Sequence, residues 1–447
     1  MTLLQRLASA TSSATLHRRL GAVEHVYGLT IESLGPDAEL GETCRIATRS
    51  ASASQVHAEV VGVRNGRLTL MPFGPVQGLA AGCEVEALGH GASIPVSDSL
   101  LGRVVDGFGE PLDGRVLSGA APRRSIKGRP LNPMTRPRIS RVLETGVRSI
   151  DALLTVGQGQ RVGIFAGSGV GKSTLLGMIA RHVRADVNVI ALIGERGREV
   201  REFIDKQLGP EGLARSVVVV ATSDQPALAR IRAAHAAVAI AEAFRDEGRQ
   251  VVLTMDSVTR LAMARREVGL ASGEPPTARG YTPSVFAEIP ELCERCGTAD
   301  SGGSITALLT VLVEGDDFNE PVADLLRATL DGHIVLTRRL AQMAQFPAID
   351  VLESTSRVMG DIVPAQERAM AQTMSRLLAL LQQNRQLVDI GAYVAGSNPG
   401  LDKALALEPA LRGFLEQAEG GVAREQSLRQ LAELLSGLPG GLQGGKS

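Results

Sequence analysis

The spacing of apolar residues changes twice along the 447-residue chain, and each pattern predicts a different structure. Between residues 21 and 92, short alternating apolar runs are separated by glycines, which is typical of a small β-barrel. Between 151 and about 350, near-continuous apolar runs alternate with helical stretches, which is typical of parallel strands buried on both faces. Beyond about residue 356 the pattern is helical. We therefore predict an α/β core that lies between a β-barrel and a helical region.

Individual elements follow from the same periodicities. The predicted strands of the core are residues 187–193, 216–221, 250–255 and 305–313. The predicted helices are residues 227–247 in the core and 364–384, 401–416 and 424–435 in the helical region. Residues 93–150 are rich in turns and prolines and are predicted to connect the barrel to the core. The glycine-rich stretch 437–447 is predicted to be disordered. Residues 1–20 have a weak amphipathic pattern, which fits a helix that docks on a partner and equally fits a frayed terminus.

Composition narrows the classes of function. Lys and Arg total 47 and Asp and Glu total 48, so the net charge of −1 argues against a protein that coats nucleic acid. With no Trp and only 3 Tyr, aromatic platforms for base stacking are scarce. No apolar run is long enough for a transmembrane helix and the N-terminus lacks the features of a signal peptide, so we expect a cytoplasmic protein. Cys293 and Cys296 have CxxC spacing, but no second pair completes a zinc site, which favours two structural thiols.

The stretch with the clearest chemistry is GIFAGSGVGKST, residues 163–174. An apolar strand runs into a glycine-rich turn and a helix begins at Lys172, which is the context of a phosphate-binding loop. Lys172 would reach the β- and γ-phosphates of ATP, and the Ser173 hydroxyl would hold Mg²⁺. Ala166 stands where the general motif has its first glycine. The predicted nucleotide-binding residues of this loop are Gly167, Ser168, Gly169, Val170, Gly171, Lys172, Ser173 and Thr174.

Hydrolysis needs further groups, and three positions are candidates. Asp256 ends an apolar strand, where it would belong to the outer shell of the Mg²⁺ ion; the alternative is an aspartate that caps the next helix. Glu195 follows another strand and is our candidate for polarising the attacking water, with Arg196 beside it, although a surface ion-pair cluster has the same spacing. Arg357 closes the α/β region, from where it would reach the γ-phosphate bound by a neighbouring subunit.

Taken together, these motifs resemble the rotary ATPase family. The residues that carry the resemblance are 166–174, 194–200, 256–260, 278–284 and 354–357. The chain is similar to the β subunit of F-type ATP synthase, and more similar to the ATPases of type III protein export, above all the flagellar export ATPases. The segments typical of that export branch are 313–317, 331–336 and 391–399.

This resemblance implies a fold and an assembly. It implies a β-barrel domain, a RecA-like P-loop ATPase domain and a C-terminal helical domain, and a homohexamer with nucleotide at the subunit interfaces. The domain bounds that we expect are 1–20 for a partner-docking segment, 21–92 for the barrel, 93–356 for the ATPase domain and 357–447 for the helical domain with its tail.

The resemblance also implies roles for individual residues. Glu195 is expected to be the catalytic carboxylate, Arg196 an arginine near the phosphates and Arg357 a finger supplied in trans. Aligning the chain with relatives that stack an aromatic residue on adenine puts Arg368 at that position, where a guanidinium would stack instead. The expected cofactors are ATP and Mg²⁺.

The implied function is Mg-dependent ATP hydrolysis that energises type III export of flagellar proteins across the inner membrane, by substrate unfolding and release from chaperones. The implied partners are a stator-like regulatory protein at residues 1–20, a central stalk protein, export chaperone–substrate complexes and a membrane export gate, with no nucleic acid. The expected location is cytoplasmic and peripheral at the inner membrane. The alternatives are a virulence-type secretion ATPase, a catalytic subunit of a proton-translocating ATP synthase, and a ring helicase, which the near-neutral charge disfavours.

Overall fold

The computed structural model describes residues 18–49, 55–117, 121–313, 318, 320–418 and 420–436. Most of the predicted docking segment 1–20 and the whole stretch 437–447 lie outside the described residues. Arg19 and Leu20 already belong to the first strand of the barrel, so the predicted helix does not extend to residue 20.

The N-terminal region is a closed six-stranded barrel in the order β1-β2-β5-β4-β3-β6. Its strands are β1 (Arg19–Tyr27), β2 (Thr30–Leu34), β3 (Glu42–Ala47), β4 (Gln55–Arg64), β5 (Arg67–Pro72) and β6 (Glu84–Gly91). Alternate side chains point inward, as in β2, where Ile31 and Ser33 are buried and Leu34 is exposed. Closure pairs every strand on both sides and leaves no open edge.

A nine-stranded, mostly parallel sheet forms the centre of the molecule, in the order β19-β18-β12-β17-β15-β13-β14-β8 with β16 paired to β17. The remaining strands are β7 (Ser93–Pro95), β8 (Arg103–Val105), β9 (Arg123–Ser125), β10 (Val142–Leu143), β11 (Val156–Gly157), β12 (Arg161–Ala166), β13 (Val187–Ile193), β14 (Ser216–Ala221), β15 (Gln250–Asp256), β16 (Gly297–Thr298), β17 (Ser304–Leu312), β18 (Gly332–Leu336) and β19 (Ile349–Ser356). Strands β13 and β14 coincide with the predicted runs. β8 lies in the region predicted to be only a connection, because three residues are too few to show a period.

Helices cover both faces of this sheet and complete the C-terminal region. They are α1 (Arg148–Leu153), α2 (Lys172–His182), α3 (Gly197–Glu202), α4 (Gly209–Ala214), α5 (Ala227–Asp246), α6 (Val258–Ala271), α7 (Pro283–Glu294), α8 (Pro321–Thr329), α9 (Arg338–Gln342), α10 (Met359–Ile362), α11 (Ala365–Asp389), α12 (Pro399–Leu415) and α13 (Arg424–Ser436), and a π-helical turn, Phe203–Leu208, links α3 to α4. One face packs against α5, α6 and α7, and the other against α1, α2 and the C-terminal helices. Burial on both faces explains the near-continuous apolar runs. The predicted α/β core with a barrel and a helical region is confirmed.

The parallel strands begin along one boundary of the sheet and end along the opposite boundary, and each boundary is named here as an edge. Strands β12, β13, β15 and β17 are parallel and all end at one edge, here named the carboxyl edge. The opposite edge, where these strands begin, is the amino edge. Strand β19 is antiparallel to β18, so its last residue, Ser356, pairs with Gly332 at the amino edge. Within the described part of the chain, no helix is long and apolar enough to cross a membrane.

One buried ion pair joins the core to the linker that leads from the barrel. Arg295 follows α7 and is 2% exposed, and Glu242 lies on α5 and is 3% exposed. Arg295 donates two hydrogen bonds to the Glu242 carboxylate, at 2.9 and 2.8 Å, and a third of 2.9 Å to the Ile126 carbonyl oxygen. A bidentate pair of this kind satisfies both charges, but losing one partner leaves the other charge buried and unpaired.

We therefore expect Glu242→Gln to lower the free energy of unfolding by about 3–5 kcal/mol, because the guanidinium loses its buried counter-charge. Urea unfolding followed by circular dichroism measures the change. Glu247→Gln is the matched control, since Glu247 is 57% exposed in its pair with Arg249 and should change stability little. Equal losses in both variants would contradict the role of the buried pair.

Candidate active site

The phosphate-binding loop leaves the sheet at the end of β12 and leads directly into α2. Gly169 and Gly171 have φ angles of +76° and +85°, in the left-handed region that favours glycine. Ala166 instead ends β12 in extended backbone and is 1% exposed, so this position has no need of glycine. Ser173 and Thr174 lie in the first turn of α2, where free backbone N–H groups attract an anion.

Three predicted residues from three separate strand ends meet at the carboxyl edge. The Lys172 ammonium forms an ion pair with Asp256 Oδ1, and its Nζ lies 3.8 Å from Glu195 Oε1. Asp256 and Glu195 are only 4% and 8% exposed. They come together because β12, β15 and β13 are parallel and end at the same edge.

The Glu195 carboxyl group lies in an unusual electrostatic environment. Burial, and then the nearby negative charge of Asp256, raise its pKa to about 7, while Lys172 and Arg260 act in the opposite direction. A carboxylate with a pKa near neutrality is suited to accept a proton from water. The pKa of Glu199 is lowered, first by its hydrogen bond with Glu195.

The arginine that contacts Glu195 is Arg260, with Nε 3.3 Å from Oε1. Arg196, which was predicted to lie near the phosphates, is exposed and donates a 3.0 Å hydrogen bond to Glu199. Sequence reasoning included Arg260 in a motif but gave it no role. The available signal was the short distance in sequence between Asp256 and Arg260. Ser257 caps α6, so Arg260 lies in the first turn of this helix.

The donor set at this edge fits Mg²⁺. The Ser173 hydroxyl is exposed at the start of α2, and Asp256 supplies a carboxylate whose Oδ2 has no hydrogen-bond partner in the described part of the chain. Hard oxygen donors of this kind, with the phosphates of a nucleotide, are what Mg²⁺ prefers. The ion would neutralise charge on the phosphate oxygens.

The structure places Arg368, the predicted adenine contact, away from the phosphate-binding loop. Arg368 is exposed on α11 and donates a 2.9 Å hydrogen bond to the carbonyl oxygen of Gly360, which lies three residues after Arg357. Arg357 in turn donates its backbone N–H to Asp331, next to the start of β18 at the amino edge. Arg368 therefore lies near the amino edge, whereas the phosphate-binding loop lies at the carboxyl edge.

An aromatic residue that the sequence analysis missed lies beside the loop. Phe346 is 44% exposed, and its ring carbons lie 3.4 and 3.5 Å from where a Cβ on Gly171 would be. A half-exposed ring against a phosphate-binding loop is a suitable platform for a nucleotide base. The available signal was an aromatic residue directly before a proline in a chain with only 9 Phe.

Gln417 holds this platform in place. Its backbone N–H donates to the Phe346 carbonyl oxygen at 2.9 Å. Its side chain accepts from the Arg148 N–H at 2.7 Å and donates to the Gly146 carbonyl oxygen at 2.8 Å. One residue of the helical region thus fixes the platform to the start of α1.

Arg357 lies far from the phosphate-binding loop of its own chain. It follows β19 at the amino edge, is exposed, and donates a 3.0 Å hydrogen bond to the Arg327 carbonyl oxygen. Five or six residues of strand separate the two edges, which is about 15–20 Å. A side chain at that distance does not reach its own phosphate site.

Family comparisons agree with this geometry. The nucleotide-binding domain model of the ATP synthase alpha/beta family matches residues 146–356, and its β-barrel domain model matches 23–89. The model of the T3SS EscN ATPase C-terminal domain matches 363–433. The chain belongs to the ATP synthase alpha/beta family, in its type III export branch. It is an ATP-hydrolysing P-loop enzyme.

Individual relatives cover almost the whole chain. The flagellum-specific ATP synthase of Bacillus subtilis is 53% identical over 96% of this chain and 98% of its own length. The type 3 secretion system ATPase of Xanthomonas euvesicatoria is 50% identical over 90% of each chain. The assembled ATPase EscN of enteropathogenic E. coli has a TM-score of 0.87 at 44% identity, over 93% of this chain and 99% of that one.

We expect the rate of ATP hydrolysis to fall as the pH drops through 7, because Glu195 with a pKa of about 7 is then increasingly protonated. The rate at pH 6 should be about one tenth of that at pH 8. Arg260→Gln removes a cation that lowers this pKa, so the acidic limb of the normalised profile should move to higher pH. A flat profile, or a limb that does not move, would argue against Glu195 as the base.

We expect Phe346→Ala to raise the KM for ATP about 5- to 150-fold, because base stacking contributes about 1–3 kcal/mol. Phe346→Tyr should keep the KM close to the original value. Arg368→Ala is the control and should leave KM unchanged, since Arg368 lies at the amino edge. The assignment fails if Arg368→Ala has the larger effect.

Proposed function

We propose that the chain hydrolyses MgATP as a homohexamer and that this energises type III export of flagellar proteins. The observation that carries the proposal is the separation of Lys172, Asp256 and Glu195 at one edge of the sheet from Arg357 at the other. A ring of copies brings the two edges together, because the carboxyl edge of one copy then faces the amino edge of the next.

Each residue has a distinct part in the proposed reaction. Lys172 binds the β- and γ-phosphates, Ser173 holds the Mg²⁺ ion with Asp256 in its outer shell, and Phe346 supports the base. Glu195 polarises the attacking water. Arg357 of the neighbouring copy stabilises the charge that develops on the γ-phosphate. Arg260 lowers the pKa of Glu195. Arg196 is the proposed arginine near the phosphates.

The biological setting is proposed from the relatives. Flagellum-specific ATP synthases of Bacillus subtilis and Salmonella typhimurium are 53% and 51% identical to the chain, which supports flagellar export. A virulence-type secretion ATPase is the second candidate, because the Xanthomonas relative is 50% identical. EscN has been solved in complex with its central stalk EscO, which supports a stalk protein as a partner here.

Other partners and the location are part of the same proposal. We propose that residues 1–20 dock a stator-like regulator, that the ring receives export chaperone–substrate complexes at a membrane export gate, and that it lies in the cytoplasm at the inner membrane. The release and unfolding of substrates would use the energy of hydrolysis.

Two inactive variants should restore activity when mixed. Lys172→Ala loses phosphate binding, and Arg357→Ala loses a finger that contributes roughly 10³-fold or more to the rate. In a mixed ring, an Arg357→Ala copy supplies an intact Lys172 site and its Lys172→Ala neighbour supplies Arg357. Phosphate release, measured against total protein concentration, should therefore recover in the mixture.

The control is a mixture of Lys172→Ala with Glu195→Gln, which should stay inactive because both residues act in the same site of the same chain. Native mass spectrometry checks that mixed rings form, and circular dichroism checks that each variant is folded. If mixed rings form and the Lys172→Ala and Arg357→Ala mixture stays inactive, Arg357 does not act across the interface.

A further inference from the structure

Strand β17 carries a buried hydroxyl next to the reaction site. Thr310 is 0% exposed, and its Oγ1 lies 2.8 Å from Asp256 Oδ1 and 3.2 Å from the Met255 carbonyl oxygen. A hydroxyl has one proton to donate, and the shorter contact with a charged acceptor is the stronger hydrogen bond. Thr310 is placed to do this because β17 lies between β12 and β15.

Both donors to Asp256 reach the same oxygen. Lys172 and Thr310 each contact Oδ1. Oδ2 is thereby left without a partner in the part of the chain that is described, as a group facing a Mg²⁺ ion or its water should be. The orientation of the carboxylate therefore depends on what holds Oδ1.

The two donors, Lys172 and Thr310, differ in the other groups that they bind. Lys172 is the loop lysine, and in the proposed function it must turn to the phosphates when nucleotide binds. Thr310 has no such second partner, since its other contact is the Met255 carbonyl oxygen of the adjacent strand. We propose that Thr310 is a positioning residue that holds the Asp256 carboxylate in the orientation for Mg²⁺ once Lys172 has moved to the nucleotide. This inference rests on the proposed MgATP hydrolysis.

The test is the Mg²⁺ dependence of nucleotide binding in Thr310→Val, which keeps the branched shape and removes the donor. Fluorescent mant-ADP is bound to the full-length protein in EDTA, and then titrated with MgCl₂. We expect the Mg²⁺ concentration at half-maximal response to rise roughly 10-fold, as is typical when a residue behind a metal ligand is removed. Binding in EDTA should stay nearly unchanged, because Thr310 is proposed to act through the Mg²⁺ ion.

Thr306→Val is the matched control. Thr306 lies on the same strand and is 1% exposed, but its Oγ1 accepts a 2.8 Å hydrogen bond from the Gly159 N–H at the amino edge. Both variants lose one buried hydroxyl, so they should lose similar stability, and only Thr310→Val should change the Mg²⁺ response. Thr310→Ser should restore it, because serine keeps the donor.

An unchanged Mg²⁺ response in folded Thr310→Val overturns the inference. So does a Thr310→Ser variant that is as impaired as Thr310→Val, because packing of the methyl group would then be the cause. A native protein that binds no nucleotide overturns the proposed function instead, which keeps the two failures distinct. If Thr310→Val does not fold, Thr310→Cys is used, since the thiol is a weak donor of similar size and predicts an intermediate Mg²⁺ response.

Discussion

The contact between Lys172 and Asp256 is the interaction on which the candidate site depends. Two carboxylates, Asp256 and Glu195, are less than a tenth exposed and lie at the ends of neighbouring parallel strands. Buried carboxylates this close repel each other and lose hydration, so a cation must lie between or beside them. Lys172 supplies that charge while the loop is free. A nucleotide that draws Lys172 toward its phosphates therefore changes the balance of charge around both acids.

Removing the lysine charge has different consequences for the two acids. Asp256 keeps a second hydrogen-bond donor in Thr310. Glu195 keeps Arg260, with Nε at 3.3 Å, as a cation that lowers its pKa, while burial and the charge of Asp256 raise it. One acid thus keeps a hydrogen-bond donor and the other keeps a nearby cation, which suits a metal-shell carboxylate and a base, respectively.

The sheet itself connects chemistry to assembly. Parallel strands collect functional side chains at the carboxyl edge, and the antiparallel β19 returns the chain so that Arg357 lies at the amino edge. In the proposed ring, a site divided in this way would be completed between neighbouring copies, and hydrolysis would then depend on assembly. The helical region contacts the candidate site directly, because Gln417 hydrogen-bonds both Phe346 and the start of α1. A rotation of the C-terminal helices would move the base platform directly.

Local sequence pattern by itself determined the phosphate-binding loop, the bounds of β13 and β14, and Asp256 and Glu195 at strand ends. Each of these is encoded within about ten consecutive residues, by period, glycine spacing and a polar residue after an apolar run. Only the tertiary structure decided that Phe346 rather than Arg368 lies beside the loop, that Arg260 contacts Glu195, and that β8 joins the sheet. Those outcomes depend on strand order and on the reversal of β19, which bring together residues far apart in sequence, and no local periodicity records such contacts.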